Sequence, residues 1–310
     1  RKIIMKKPLF VDINIKRLGD FVDNHQKIQK DLDDGSPVFS SVEFSINGAC
    51  NRRCHFCPRV VKEDYPNIYK SLEMECYSAL INDLQKIEYK GRISFSGFCE
   101  PLLTKNLHEY ISIARLRFPD IAIEIVSNGD PLLGKNGKNK LKKLFESGLN
   151  NIRISLYDGP EQRPYFEKLK KDLELNDDQF IIRNRYLQPD KSYGMTISNR
   201  AGSVNLKNEV FELKPLSEPL KQPCYYPFYK VLIDYDGSVL MCSNDWKKER
   251  IMGNIFQDSL INIWTNNLFL KTRKKLINCD RNHRPCNVCD VEGILNGKSA
   301  FDKWNSFISK

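Results

Sequence analysis

No stretch of the 310 residues approaches the ~20 consecutive apolar positions that a membrane-spanning helix requires. The N-terminal "RKIIMKKPLF" is basic but has neither a long apolar run nor a small-residue cleavage site, so no export signal is expected and a cytoplasmic setting is. No segment repeats at a fixed period and none is of low complexity. The formal charge is +10, yet no motif interleaves aromatic with basic residues, so nucleic acid is not expected as a partner. The basic runs "KNKLKKL" and "KTRKK" read as solvated helix faces or as attraction for an anionic small-molecule substrate.

Cysteine is abundant. Ten cysteines without an export signal are read as metal ligands or reactive thiols rather than disulfides. Seven fall into two groups, Cys50/Cys54/Cys57 and Cys224/Cys242/Cys286/Cys289, leaving Cys76, Cys99 and Cys279. Cys76 lies in a helical stretch and reads as a small packed residue.

The chain between the two groups alternates. Strands are predicted at 41–46, 92–97, 121–129, 151–159 and 179–187, and helices at 71–88 (Ser71 as N-cap), 106–118, 137–148 and 161–175. This order predicts a parallel sheet with helical crossovers, its short strands apolar because both faces are covered. Polar residues at the strands' C-terminal ends should converge on one pocket: Asn47, Glu100, Ser127 and Asn128, Ser155 and Asp158. From about residue 206 the pattern changes to a β-hairpin at 229–243, a helix at 258–276 and "CDRNHRPCNVCD". The expected division is an N-terminal extension (1–40), a barrel-like α/β domain (41–205), a smaller domain (206–295) and a tail (296–310).

Cys50-x3-Cys54-x2-Cys57 follows the first strand directly. Three thiolates on one loop suit three irons of a [4Fe–4S] cluster and leave the fourth iron open, whereas structural zinc asks for four closed ligands. With Phe56 before the third cysteine, the loop resembles the signature of the radical S-adenosylmethionine (SAM) family. That resemblance implies a partial (β/α)6 barrel in which the open iron chelates SAM. It further implies reductive cleavage of SAM to a 5′-deoxyadenosyl radical, with reduced flavodoxin or ferredoxin as electron donor. "GFCE" (Gly97 to Glu100) then corresponds to the segment holding the methionine end of SAM. Ser127, Asn128 and Ser155 correspond to further SAM-facing positions, and Arg183 or Arg185 to a partner for its carboxylate.

The second group resembles the Twitch form of the SPASM domain, which implies one auxiliary [4Fe–4S] cluster on Cys224, Cys242, Cys286 and Cys289. The spacing alone also allows a four-cysteine zinc ribbon. Radical SAM proteins with one auxiliary cluster resemble enzymes acting on sugars and aminocyclitols. A dehydrogenase passes an electron from the substrate radical to that cluster, and Arg200 in "SNRAGS" is the candidate substrate-facing residue. An epimerase needs a thiol hydrogen donor, for which Cys99 and Cys279 are the candidates. Peptide modification is a third reading, although the 49 residues before Cys50 are few for a peptide-recognition domain.

Overall fold

The computed structural model describes residues 13–310, with helix α1 (Ile13–Ile28) preceding the sheet. Five strands run parallel in chain order: β1 (Ser41–Ser45), β2 (Arg92–Phe95), β3 (Ala122–Ser127), β4 (Asn151–Leu156) and β5 (Phe180–Asn184). Four helices make the crossovers: α2 (Met74–Lys86), α3 (Leu107–Arg117), α4 (Gly137–Glu146) and α5 (Arg163–Asp172). One sheet face follows the alternation of side chains in a strand. Phe44, Ile93, Phe95, Ile123, Ile125, Ile152 and Ile154 are fully buried in one core with Tyr77, Ile81, Leu84 and Ile111 of the helices.

The other face corrects the expectation of strands apolar on both sides. Glu43, Ser94, Glu124 and Asn151 share one register row, and Arg92, Arg153 and Ser155 flank it. Glu124 accepts from Arg92 at 2.6 Å, from both terminal nitrogens of Arg153 at 2.8 and 3.0 Å, and from Asn151 at 3.1 Å. Burial alone would raise its pKa, but Arg92 and Arg153 outweigh burial and hold the carboxyl below its ordinary value. Glu43 behaves likewise, its burial outweighed by Lys230 at 2.8 Å and by Ser96, which donates at 2.6 Å. Ionised pairs inside the barrel are stable only when matched in this way.

The hairpin of the C-terminal region joins the same sheet. Strand β6 (Lys230–Asp234) pairs parallel with the free edge of β1, and β7 (Ser238–Leu240) and β8 (Ile251–Asn254) extend it antiparallel. The partial barrel thus has five alternating strands with four helices, and its sixth parallel strand comes from beyond residue 206. Gly237 turns the hairpin at φ +78°, where a Cβ would lie 2.6 Å from Asn254 Oδ1. The helix expected at 258–276 is two helices, α6 (Leu260–Thr265) and α7 (Asn267–Ile277). Asn266 is extended between them and accepts from the Phe269 amide, so it caps the second helix instead of continuing the first. Likewise α2 starts at Met74, because Ser71 ends a short strand, Ile68–Ser71, paired with Asn47–Gly48.

Helix α8 (Lys298–Ile308) packs on α1, and its Trp304 ring lies 3.8 Å from the Arg273 guanidinium, with the Trp264 ring also against it at 3.9 Å. His25 of α1 is 2% exposed, between Phe21 and Tyr89. Burial pushes its pKa down to about 4, so the charged form is disfavoured in the fold. A depressed pKa gives stability that is present above the unfolded value near 6.5 and lost as pH falls through 4. Acidification across that window is expected to remove roughly 3 kcal/mol at most. His25→Phe should flatten the pH dependence of the unfolding midpoint there; an unchanged slope would show that His25 does not titrate on unfolding.

Candidate active site

The loop after β1 carries Cys50, Cys54 and Cys57, whose thiols are close enough to raise one another's pKa after burial, which acts first. The loop is fastened by several contacts. Asn67 accepts from the Cys50 amide and donates to its carbonyl, at 3.0 and 3.1 Å. Arg52 donates bidentately to Asp130 beyond β3 and to Asp158 beyond β4, at 2.6 to 2.7 Å. Arg59 donates to the carbonyls of Gly48 and Phe98. The Arg52 amide and Asn128 Nδ2 face Cys50 Sγ at 3.5 and 3.9 Å, an arrangement that suits a thiolate. Phe56 is buried against Tyr157 and Tyr193, whose hydroxyl lies 2.9 Å from His55 Nε2.

Around this loop the polar strand ends do converge. Glu100 is buried and accepts from Ser127 Oγ at 2.7 Å, from the Asn128 amide at 2.7 Å and from the Leu102 amide at 3.0 Å. Burial raises its pKa to about 7 against those bonds. Three of its roughly four acceptor positions are therefore used within the chain. Asn128 Nδ2 also donates to Asn51 at 2.8 Å. Ser155 accepts from Arg183 at 3.2 Å, while Arg185 donates to the carbonyls of Asn184 and Gly194. Gly97 sits at φ +81°, where a Cβ would lie 3.1 Å from Ser45 and 3.2 Å from Leu232.

Cys99 packs against the hydrophobic core and donates to the Ser96 carbonyl at 3.5 Å, with its pKa pushed up to about 12 by burial. It is held as a neutral thiol tied to its own loop. Cys99→Ala is expected to keep turnover within about twofold and to cost around 1 kcal/mol, as read by product formation and urea unfolding. Retained SAM cleavage with lost product would instead make it a reagent. Cys279 is exposed just beyond α7 and is not among the residues lining the cavity of the second group.

Cys224, Cys242, Cys286 and Cys289 line one cavity together with Ala201, Tyr226, Asn244 and Arg281. Their burial raises each thiol's pKa, Cys242 to about 12 and Cys289 to about 11, and their mutual charge adds to it. Among the described residues no three His, Cys, Asp or Glu side chains are gathered tightly enough for a single ion. Arg281, which the sequence reading did not single out, is 2% exposed and donates to the backbone carbonyls of Gln222, Pro223, Val291 and Glu292. No carboxylate among the described residues is paired with it. A buried cation beside four thiols fits an occupant that carries negative charge.

Arg200 occupies a left-handed turn with Ala201 and Gly202, at φ +47°, +52° and +83°. Buried Asn199 fixes that turn through Asp290, Lys214 and Val288. Arg200 donates to Asn244 Oδ1 at 3.3 Å on the second group's side. Its charge also lowers the pKa of the Cys57 thiol, against a larger rise from burial. One guanidinium therefore faces the second group through Asn244 and acts electrostatically on Cys57 of the first.

The radical SAM superfamily description matches residues 44–175, and that of an iron–sulfur cluster-binding domain, SPASM, matches residues 224–290. The S-adenosyl-L-methionine-dependent 2-deoxy-scyllo-inosamine dehydrogenase of Niallia circulans is 28% identical over 239 residues, 77% of this chain and 87% of that one. A GTP 3',8-cyclase of Chlorobaculum tepidum is 30% identical over 140 residues, 43% of this chain and 39% of its own. Among solved structures, BtrN in complex with AdoMet and 2-DOIA matches with a TM-score of 0.67 at 25% identity, over 84% of this chain and 97% of that one. The anSMEcpe structure with bound AdoMet shares the fold, with a TM-score of 0.55 at 14% identity over 86% and 96% of the two chains. No helix is long and apolar enough to cross a membrane among the described residues. With a partial barrel carrying the three-cysteine loop and a four-cysteine cavity behind it, the chain belongs to the radical SAM superfamily, as an enzyme with a C-terminal SPASM-type iron–sulfur domain and with SAM and two iron–sulfur clusters as cofactors.

Proposed function

We propose that this enzyme oxidises a carbinol carbon of a small, polyhydroxylated, amino-bearing ring to a ketone, at a site where the auxiliary cluster, when bound, would supply an acceptor for the second electron. The observation that carries this reading is the Arg200 guanidinium, bonded to Asn244 beside the second thiol group and acting electrostatically on Cys57 of the first. The relative that acts as a dehydrogenase on 2-deoxy-scyllo-inosamine, 87% of whose length is matched, supports the substrate class. Cys50, Cys54 and Cys57 would hold the SAM-binding cluster, and Cys224, Cys242, Cys286 and Cys289 the auxiliary one. When bound, SAM and the first cluster supply a radical able to take hydrogen from an unactivated C–H bond.

The remaining roles belong to the chain. The barrel of residues 41–205 supplies the SAM site, and residues 206–295 the auxiliary site. Glu100 orients Ser127 and Asn128 and keeps one acceptor position for an ammonium group. Gly97, Phe56, Ser155 and Arg183 complete the wall around SAM. Arg200 holds the substrate oxygen; a guanidinium always donates, so it stabilises developing negative charge while the hydroxyl proton leaves to water. The external reductant is reduced flavodoxin or ferredoxin. Dehydrogenation is favoured over epimerisation by the placement of the spare thiols, since Cys99 is bonded within its loop and Cys279 is exposed.

The test is anaerobic turnover of 2-deoxy-scyllo-inosamine in deuterated water with SAM and a strong reductant. One ketone per 5′-deoxyadenosine, without solvent deuterium on carbon, is the expected result. Recovered substrate bearing one deuterium at an inverted centre would establish an epimerase, and SAM cleavage with no ketone would reject this substrate class.

A further inference from the structure

Asn244 lies two residues after Cys242 and is 4% exposed. Its backbone amide and its Nδ2 both point at Cys242 Sγ, at 3.4 and 3.5 Å. Its Oδ1 accepts from Arg200 at 3.3 Å. The amide orientation is fixed from both ends. A guanidinium only donates, so the oxygen must face Arg200, and a thiolate only accepts, so the nitrogen must face Cys242. The Cβ of Asn244 is thereby part of a rigid bridge, one amide long, between the residue assigned to the substrate oxygen and a ligand of the auxiliary cluster.

We propose that Asn244 is a positioning residue that fixes the Arg200 guanidinium beside the auxiliary site and, by donating to the Cys242 sulfur, raises the potential at which that site accepts an electron. This rests on the reading of Cys242 as a ligand and of Arg200 as substrate-facing. Hydrogen bonds to ligand sulfur spread its negative charge and favour the more reduced, more negative state of a cluster. Asn244 supplies two such donors, whereas Cys289 receives one from the Val291 amide at 3.4 Å. The same amide keeps Arg200 from turning away into solvent, so the oxidised position of the substrate and the electron acceptor stay aligned.

The test compares holoenzyme with Asn244→Ala and Asn244→Asp. Asn244→Ala removes one sulfur donor and the Arg200 acceptor; Asn244→Asp keeps the acceptor, removes the donor and adds negative charge. EPR-monitored titration of the auxiliary signal should show a more negative potential in both, by at least tenfold in the reduction equilibrium, or ~59 mV for one electron. The shift should be larger in Asn244→Asp. Ketone formed per SAM cleaved should fall more in Asn244→Ala, which frees Arg200, at equal iron content. Unchanged potentials in both variants at full iron content would overturn the proposal. The titration needs no substrate, so it remains decisive for Asn244 if the wild-type enzyme fails to oxidise the alcohol.

Discussion

Arg281→Met is expected to strip the auxiliary cluster while leaving the first one in place. Iron should fall from about eight to about four atoms per chain, and product formation by about 100-fold, while SAM cleavage continues without coupling to oxidation. The physical reason is twofold. Arg281 joins the carbonyls of Gln222 and Pro223, just before Cys224, to those of Val291 and Glu292, just after Cys289. It also places a cation beside the sulfurs, which lowers the pKa of Cys224, Cys286 and Cys289 against a larger rise from burial. Losing it separates the two ends of the site and removes the charge that offsets a bound anion. Arg281→Lys keeps the charge but not the four-carbonyl fork, so it should retain more iron than Arg281→Met and less than wild type. Iron and sulfide assays on anaerobically reconstituted protein check this; about eight irons in Arg281→Met would show that the cysteines need no such support.

Glu124→Ala is expected to destabilise the fold by about 3–5 kcal/mol, the cost of leaving buried charge uncompensated. Glu124 on β3 lies between Arg92 on β2 and Arg153 on β4, and all three side chains are at most 13% exposed. Removing the carboxylate leaves two guanidiniums facing each other across one strand, with Arg92 keeping its hydrogen bond to Ser41 and the field of Glu43. The lowered pKa of Glu124 gives the sign with pH: its contribution is present above the ordinary carboxylate value and is lost as pH falls through the depressed folded value. Urea unfolding of Glu124→Ala near neutral pH should therefore show the full loss, and wild type should approach it once pH falls below the depressed folded value. Replacing Arg92, Glu124 and Arg153 together by apolar residues should recover much of the stability. A loss under 1 kcal/mol in Glu124→Ala would mean that water reaches this part of the barrel.

These two residues show where reading the sequence succeeds and where it stops. The strand–helix alternation and the three-cysteine loop were legible because each depends on short-range spacing, whereas the four-cysteine set, spread over residues 224–289, was legible only through its resemblance to the SPASM domain. The charged interior was also written in the strands, as the alternation in "SVEFS", "RISF" and "NIRISL". It was overlooked because runs this short, rich in Ile and Phe, also read as strands covered on both sides. Arg281 and Asn244 had no such signal. Their roles come from contacts with residues 222–223 and 291–292 and with Arg200, which only the folded chain brings near. The attachment of β6 to β1 is of the same kind, since 184 residues lie between Ser45 at the end of β1 and Lys230 at the start of β6. Helix α7 illustrates local competition: Asn266 could continue a helix or cap one, and its side chain settled it as a cap.

The most direct measurement is an iron count with Mössbauer spectroscopy on the reconstituted wild type and on a variant lacking Cys224, Cys242, Cys286 and Cys289. About eight irons in wild type and about four in the variant, all in four-iron clusters, are expected, with SAM cleavage surviving the substitutions. About four irons together with one zinc in wild type would contradict the two-cluster enzyme and, with it, the auxiliary site as electron acceptor.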